Sequence, residues 1–589
     1  MEITNPILPG FNPDPSIVRA GDDYYIATST FEWFPGVQIH HSRDLVHWQL
    51  VSHPLDRVSQ LDMTGNPNSG GIWAPCLTYA DHQFWLIYTN VKLLRGAFKV
   101  THNYLVTAPQ VEGPWSEPVY LNSTGFDPSL FHDTDGRRWL VNMDWDWRPG
   151  RHPFAGILLQ EYDHEARRLV GPVRRIFKGT PLRVTEGPHL YRRGDYYYLL
   201  TAEGGTGHEH AVSMARSRSI EGPYEIDPQN PVLTAHGHPD APLKKAGHGD
   251  IVETPDGPYL VHLCSRPIGR GVRGNDQGWS VLGRETGIQK ATWTDDGWLR
   301  LAGGGNAPAL TVPAPRLPGA GSNGGEEAPE GPHADATSAV YGPQTPVRRA
   351  GRLVHVVDEF EADTLAIDWQ SPRSPLGPDQ LSLTDRPGYL RLYGEEPPRS
   401  QFRQSLVGRR QQAFRCVVQT ELDFTPEDWN QLAGLICYYN TWNHHYLYIT
   451  STAGIGNDTS AQSEPGAPVA APGGGAQAGH GTTGGRVLGI LSSAAMEESF
   501  PLAGKEITLP TSGPIHLRAS IDYERLQFAW SSDGTTWHDA GPELDMTVIS
   551  DEMGPGGGFT GSFVGLCAQD LSGLRRPADF ARFEYRELA

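Results

Sequence analysis

The feature that most constrains the fold of this 589-residue chain is a short motif that occurs five times at nearly even spacing. Each copy places corner-forming residues ahead of an aromatic-rich run in which apolar residues alternate. The five copies occupy residues 12–18, 73–77, 126–130, 186–190 and 247–251. A repeat of several tens of residues built from short strands is typical of a β-propeller, in which each repeat is one blade. The sequence therefore predicts an all-β protein that begins with a five-bladed β-propeller.

One position of the motif should face the centre of that propeller. The first strand of every blade lies nearest the axis, so equivalent positions in the repeats are expected to line one cavity. With a slip of one residue allowed, the occupants are Asp14, Trp73 or Ala74, Asp127, Glu186 and His248. A single Asp-Pro is ordinary turn chemistry. Three acids in register predict a functional site.

Three neighbouring carboxyl groups restrict one another's ionisation. Charge repulsion and desolvation should raise the pKa of at least one of them. A protonated acid and an ionised base can then coexist near neutral pH. Hydrolysis of a glycosidic bond needs this pair, since one group protonates the leaving oxygen and the other activates water or attacks carbon. The acids therefore favour a glycosidase.

Four segments, residues 5–16, 28–37, 125–129 and 185–189, resemble the β-xylosidases of glycoside hydrolase family 43. The resemblance implies a five-bladed propeller and a reaction that inverts the anomeric carbon. It also implies that Asp14 is the general base and Glu186 the general acid. Asp127 would be the acid that raises the pKa of Glu186 and orients it.

The same resemblance implies several substrate-binding residues. Phe31 and Trp73 are expected to stack on the sugar, and Trp145 to border the leaving-group position. By position alone, each of these aromatic residues is equally consistent with a place in the core. Thr206 lies in a Gly-rich loop that the family uses at the pocket wall, although the local sequence by itself indicates only a turn.

Two further residues belong to the predicted site. His248, at the fifth corner, is expected to hydrogen-bond the base or to contribute to a divalent-cation site such as the calcium site of some relatives. The clustered oxygen ligands of a typical calcium site are absent from the sequence. Arg284 matches the family's pocket arginine, which would bind sugar hydroxyls and keep carboxylates ionised, the alternative being a surface ion pair.

The sequence divides into a catalytic propeller at residues 1–305, a linker or insertion at about 306–350, and a second domain at 351–589. Short strands separated by turns predict that the second domain is a β-sandwich, with a low-complexity loop at about 453–485. Residues 405–412 and 558–565 resemble the C-terminal sandwich of the same xylosidases. The resemblance places Phe559 at the pocket wall, whereas the local pattern also allows a place in the sandwich core.

Composition excludes some partners. The net charge of −20 argues against nucleic acid and anionic membranes. The five scattered cysteines do not predict a disulfide framework. The first residues show neither a basic region nor an apolar run, which predicts a soluble, cytoplasmic protein and leaves unconventional export open. No cofactor is expected to be required, and homo-oligomerisation is left open.

The sequence therefore predicts an exo-acting, inverting β-D-xylosidase that hydrolyses xylo-oligosaccharides from the non-reducing end, with α-L-arabinofuranosidase side activity left open. One alternative is an enzyme of the same fold that mainly releases arabinose or cleaves arabinan. Another is a non-catalytic, sugar-binding propeller. Three acids in register argue against the latter, because a lectin needs no general acid.

Overall fold

The computed structural model describes residues 1–316, 353–453, 484–554 and 557–589. Most of the predicted linker and of the low-complexity loop lies outside these residues. Within them the chain is almost entirely β, with two short 3₁₀ helices at Val272–Gly274 and Met546–Val548. No helix in these ranges is long and apolar enough to cross a membrane. The predicted all-β fold is confirmed.

Five antiparallel sheets of four or five strands form the blades of a propeller. Blades 1 to 3 consist of Ser16–Ala20, Asp23–Thr28, Gln38–Ser42 and Gln49–Ser52; of Gly71–Ile72, Cys76–Ala80, Gln83–Leu93, Val100–Ala108 and Val119–Asn122; and of Ser129–His132, Arg138–Trp145, Phe154–Asp163 and Arg168–Phe177. Blades 4 and 5 consist of Glu186–Arg193, Tyr196–Glu203, Ala211–Ser217, Glu225–Ile226 and Leu233–Thr234; and of Lys244–Thr254, Gly257–Ser265, Glu285–Trp293 and Leu299–Leu301.

The N-terminal segment closes the ring against blade 5. Leu8 and Thr286 exchange backbone hydrogen bonds of 3.2 Å. Glu2–Thr4 pairs with Thr311–Pro313, so the first described residues of the predicted linker lie against the propeller. The boundary at residue 305 stays a prediction.

The repeated motif has an unusual backbone in four of the five blades. Asp14, Asp127 and His248 adopt φ angles of 53°, 51° and 44°, which is the left-handed region that non-glycine residues rarely occupy. In blade 4 the left-handed residue is Gly187, with φ of 53°, and Glu186 precedes it. This offset is the one-residue slip seen in the sequence. Strained backbone of this kind is concentrated at functional sites.

The second domain contains a sheet of nine strands and a sheet of seven. The first contains His355–Asp358, Leu381–Ser382, Leu390–Tyr393, Arg415–Asp423, Ile515–Asp522, Arg525–Ser531, His538–Asp539, Leu544–Asp545 and Pro577–Glu587. The second contains Ser405–Arg410, Gln431–Asn440, Asn443–Ser451, Arg486–Ala494, Glu497–Ser499, Ile507–Thr508 and Phe563–Asp570. Apolar side chains from both sheets form one buried core, which confirms the predicted sandwich.

The sandwich packs directly on the propeller. Trp33 stacks on Phe563 of the sandwich, with ring centres 3.6 Å apart and an interplanar angle of 11°. The short strand Trp33–Phe34 also pairs with Ser371–Pro372, whose strand lies in the second domain. Arg410 of the sandwich donates a 2.7 Å hydrogen bond to the carbonyl oxygen of Phe11. These contacts position the edge of the sandwich over the corners of the propeller.

Candidate active site

The propeller corners and the edge of the sandwich enclose a cavity of about 250 Å³. All ten residues predicted from the sequence to form the site line it: Asp14, Phe31, Trp73, Asp127, Trp145, Glu186, Thr206, His248, Arg284 and Phe559. The structure therefore brings together residues from five blades and the second domain.

Asp14 lies at the corner of blade 1 and is only 6% exposed. Its carboxylate accepts a 2.7 Å hydrogen bond from the Ser29 hydroxyl and a 3.1 Å hydrogen bond from Nη1 of Arg284. Burial by itself would raise the pKa of Asp14, but the Arg284 guanidinium, His248 and the Ser29 hydroxyl outweigh it and lower the pKa. Asp14 is therefore ionised at neutral pH.

The pKa values of Asp127 and Glu186 are shifted in the opposite direction, upwards. Burial and the negative charge of Asp14 raise the pKa of Asp127 to about 8, although the backbone N–H of Gly187 donates a 3.1 Å hydrogen bond to it. Burial, followed by Asp127 and Asp14, raises the pKa of Glu186 well above its usual value. One cavity thus contains an ionised carboxylate and a protonated carboxylic acid.

Arg284 connects the acids to both domains. Its guanidinium donates hydrogen bonds of 3.1 Å to Asp14, 3.0 Å to the Thr206 hydroxyl and 3.0 Å to the carbonyl oxygen of Phe559. It also lies 5.1 Å from the ring centre of Phe31 and 5.3 Å from that of Phe559, a cation–π arrangement. Arg284 is only 4% exposed, so its ion pair with Asp14 is buried and does not lie on the surface.

Three aromatic rings form one wall of the cavity. The ring centres of Phe31, Trp73 and Phe559 lie 6.0 to 6.2 Å from one another. The backbone N–H of Phe559 donates a 3.1 Å hydrogen bond to the hydroxyl of Ser69 in the propeller. The preceding Gly558 allows this approach, because a Cβ atom there would lie 2.0 Å from the hydroxyl oxygen of Tyr439. Phe559 thus crosses the domain boundary and lines the cavity.

The cavity lining continues through residues that the sequence analysis missed. Phe126 and Phe154 pack against Trp145 at ring distances of 6.3 and 5.6 Å, and Nζ of Lys99 lies 4.4 Å from a ring centre of Trp145. Phe126 directly precedes Asp127 in the repeated motif, so the motif itself could have indicated it. Lys99 carries no comparable sequence signal.

His210, also missed, lies in the cavity beside His248. Burial lowers the pKa of His248 to about 4 and that of His210 to about 3, so both imidazoles are neutral at neutral pH. Across the described ranges, no three His, Cys, Asp or Glu side chains are grouped to hold a metal ion. Imidazole and guanidinium neighbours also do not suit calcium, which prefers oxygen ligands. A cation near His248 stays a prediction.

Comparison with known proteins is consistent with this site. Residues 3–299 match the model of glycosyl hydrolases family 43, and residues 357–464 and 476–586 match the β-xylosidase C-terminal concanavalin A-like domain. The chain is 46% identical over 591 residues to a β-xylosidase of Bacillus subtilis (strain 168), covering 100% of both chains. It is 48% identical over 595 residues to xylosidase/arabinosidase 43B of Humicola insolens, covering 99% of this chain and 98% of the relative.

A similar solved structure is that of a xylan β-1,4-xylosidase from Bacillus halodurans C-125. It has 50% sequence identity and a TM-score of 0.86, and the match covers 99% of this chain and 100% of the other. The match of the propeller to family 43, together with the carboxyl groups that line its axial cavity, identifies the protein as a glycoside hydrolase. The chain belongs to glycosyl hydrolase family 43 and carries the concanavalin A-like C-terminal domain of that family's β-xylosidases. The alternative of a non-catalytic propeller is thereby set aside.

The raised pKa of Asp127 has a consequence for stability. Between its ordinary value of 3.8 and its folded value of about 8, the unfolded chain releases a proton that the folded protein retains. Folding stability is therefore lost as pH rises through this window. The Asn side chain of Asp127→Asn is neutral in both the folded and the unfolded chain. The free energy of unfolding of this variant, relative to that of wild type, should therefore increase between pH 5 and pH 8 by about 1.4 kcal/mol per pH unit.

Denaturant unfolding at several pH values measures this difference, and Asp44→Asn provides the control. Backbone and side-chain hydrogen bonds with His47 and Val46 outweigh the effect of burial and lower the pKa of Asp44. Between pH 5 and pH 8 the Asp44 carboxyl is ionised in both the folded and the unfolded chain, so the control should differ from wild type by an amount that does not change with pH. A pH-independent difference for Asp127→Asn would contradict the assignment.

Proposed function

We propose that this family 43 hydrolase is an exo-acting, inverting β-D-xylosidase that removes single xylose units from the non-reducing ends of xylo-oligosaccharides. The observation that carries the proposal is the shared cavity in which the pKa of Asp14 is lowered and that of Glu186 is raised. The full-length similarity to a Bacillus subtilis β-xylosidase supports xylose as the sugar.

In the proposed reaction, Asp14 is the general base and Glu186 the general acid. Asp14 accepts a proton from water as the water oxygen attacks the anomeric carbon. Glu186 gives its proton to the glycosidic oxygen, and the bond from that oxygen to the anomeric carbon breaks. Asp14 then returns its proton to solvent and Glu186 is reprotonated, which restores the starting state.

Asp127 and Arg284 are assigned supporting roles. Asp127 adds to the effect of burial in raising the pKa of Glu186 and, in this proposal, orients it. Arg284 keeps Asp14 ionised and has a hydrogen-bonding edge suited to sugar hydroxyls. Thr206 accepts a hydrogen bond from Arg284 and contributes to the same wall. His248, which lines the cavity, is assigned a hydrogen bond to Asp14 or to the bound sugar.

The sandwich domain is proposed to make the enzyme exo-acting. An open axial cleft would admit the middle of a polysaccharide chain. Phe559, with Phe31 and Trp73, instead builds an aromatic wall on one side of the cavity. A chain end can enter such a pocket, and the rings can stack on its terminal sugar and exclude water.

Arabinose release is the second candidate, because several relatives carry that activity in their names. Two of them are the Humicola insolens xylosidase/arabinosidase and a non-reducing end α-L-arabinofuranosidase of Bacteroides ovatus, which is 38% identical over 461 residues in a match that covers 76% of each chain. A cytoplasmic location, independence from cofactors and homo-oligomer formation stay predictions.

Initial rates on aryl β-D-xyloside and aryl α-L-arabinofuranoside separate the two candidates. We expect the larger kcat/KM on the xyloside, with measurable side activity on the arabinofuranoside. A larger value on the arabinofuranoside would make the protein mainly an arabinofuranosidase.

Glu186→Gln tests the general acid. The amide cannot donate the proton, so activity should fall far more on xylobiose than on a xyloside with a good phenolate leaving group, which needs little protonation. Asp14→Asn is the control, because water must be activated whichever group leaves, and it should depress both substrates alike. Equal losses for Glu186→Gln on the two substrates would reject its assignment.

The stereochemistry of the product tests the role of Asp14 as a base acting through water. Direct displacement by water inverts the anomeric carbon, so NMR of the first product from a β-xyloside should show α-xylose. Initial release of β-xylose would instead indicate a covalent intermediate and a different role for Asp14.

Phe559→Ala tests closure of the pocket. Loss of the ring should lower kcat/KM for xylobiose by an amount equivalent to roughly 1–3 kcal/mol of transition-state binding, as in other hydrophobic specificity pockets. The melting temperature should change little. Phe563→Ala is the matched control, since it removes the stack on Trp33 and should destabilise the fold by about 3–5 kcal/mol. A large drop in melting temperature with normal activity for Phe559→Ala would place that residue in the core.

A further inference from the structure

Two neighbouring hairpin turns extend beyond the cavity. In blade 2, Gln83–Leu93 pairs with Val100–Ala108, and the intervening turn is residues 94–99. In blade 3, Arg138–Trp145 pairs with Phe154–Asp163 around residues 146–153. Residues at the base of both turns line the cavity: Leu94 and Lys99 are the first and last residues of the blade 2 turn, and Trp145 and Phe154 flank the blade 3 turn.

Each turn carries one large exposed aromatic side chain. Phe98 is 59% exposed and Trp147 is 49% exposed, yet their ring centres are only 4.7 Å apart, at an interplanar angle of 41°. Single exposed apolar residues are common on protein surfaces. Two contacting rings beside a ligand cavity form a continuous apolar patch, which is typical of a binding groove. We call Phe98 and Trp147 the aromatic platform.

The platform is anchored to the cavity wall. Nε1 of Trp145 donates a 2.8 Å hydrogen bond to the carbonyl oxygen of Ala97, one residue before Phe98. Nζ of Lys99, one residue after Phe98, donates a 2.6 Å hydrogen bond to the carbonyl oxygen of Leu94 and lies over the ring of Trp145. These contacts join the blade 2 turn to the blade 3 hairpin.

The turn that carries Trp147 is closed by its own hydrogen bonds. The backbone N–H of Asp146 donates a 2.8 Å hydrogen bond to the carbonyl oxygen of Pro153. Asp146 also accepts hydrogen bonds of 2.7 and 2.6 Å from Nε and Nη2 of Arg148, so the residues on both sides of Trp147 are tied together. The ring is thus presented by an ordered turn, which reduces the entropy lost when a ligand binds.

We propose that the aromatic platform binds the third sugar of a xylo-oligosaccharide, counted from the non-reducing end. This inference rests on the proposed function. In the proposed function the terminal sugar occupies the closed pocket and the second borders Trp145. The turns that carry Phe98 and Trp147 adjoin Trp145, so they lie next along the path of the chain. A pyranose ring has an apolar C–H face that an aromatic ring covers well, and neither ring requires a charged ligand. The substrate class is therefore oligosaccharides of three or more units.

Chain length provides the test. For Trp147→Ala and Phe98→Ala, we expect kcat/KM on xylotriose and xylotetraose to fall by roughly 2–12-fold, the size of one lost ring contact. The value on xylobiose should be unchanged. Trp429→Ala is the matched control, because Trp429 is 59% exposed and its backbone N–H donates a hydrogen bond within the sandwich, to the carbonyl oxygen of Ala453. It should leave the ratio of xylotriose to xylobiose activity at the wild-type value.

Three results would overturn the inference. Equal losses of kcat/KM on xylobiose and xylotriose in the two platform variants would show that the platform does not bind the third sugar. Unchanged kcat/KM on oligosaccharides of every length would show that the platform binds no sugar. A changed oligomeric state in size-exclusion chromatography, with an unaltered length ratio, would assign the platform to contacts between copies. If wild type releases no xylose from xylobiose, the proposed function itself fails, which distinguishes the two failures.

Discussion

The ion pair between Arg284 and Asp14 is the interaction on which the site depends. Both groups are almost fully buried, and an isolated buried carboxylate would tend to take up a proton. The guanidinium prevents this and lowers the pKa of Asp14. The retained negative charge then helps to raise the pKa of Asp127 and Glu186. One pair therefore separates the protonation states of three carboxyl groups.

The same arginine explains why a sandwich accompanies the propeller. Arg284 comes from the propeller, yet it donates to the backbone carbonyl oxygen of Phe559 and lies over its ring. The sandwich thereby satisfies part of a buried charge and closes one side of the cavity. Domain packing and the electrostatics of the acids are two aspects of one arrangement.

Function and stability oppose each other at this site. Left-handed backbone at Asp14, Asp127 and His248 is conformationally unfavourable, and buried acids with raised pKa values lower stability at neutral pH. Stacked rings such as Trp33 on Phe563 and a large sandwich core compensate through burial of apolar surface. Within the site, this strain falls at the corners that aim side chains at the axis.

The sequence by itself determined the architecture, because a fivefold repeat with period-2 strands has few solutions other than a propeller. It also indicated Asp14, Asp127 and Glu186, because symmetry directs equivalent positions towards one axis. Only the tertiary structure decided the protonation states, since these depend on burial and on the distance to Arg284. Likewise, Lys99, His210 and the pair of Phe98 and Trp147 belong to no repeated motif. They meet because separate hairpins and blades converge in space, and no local pattern in a chain specifies which turns will be neighbours.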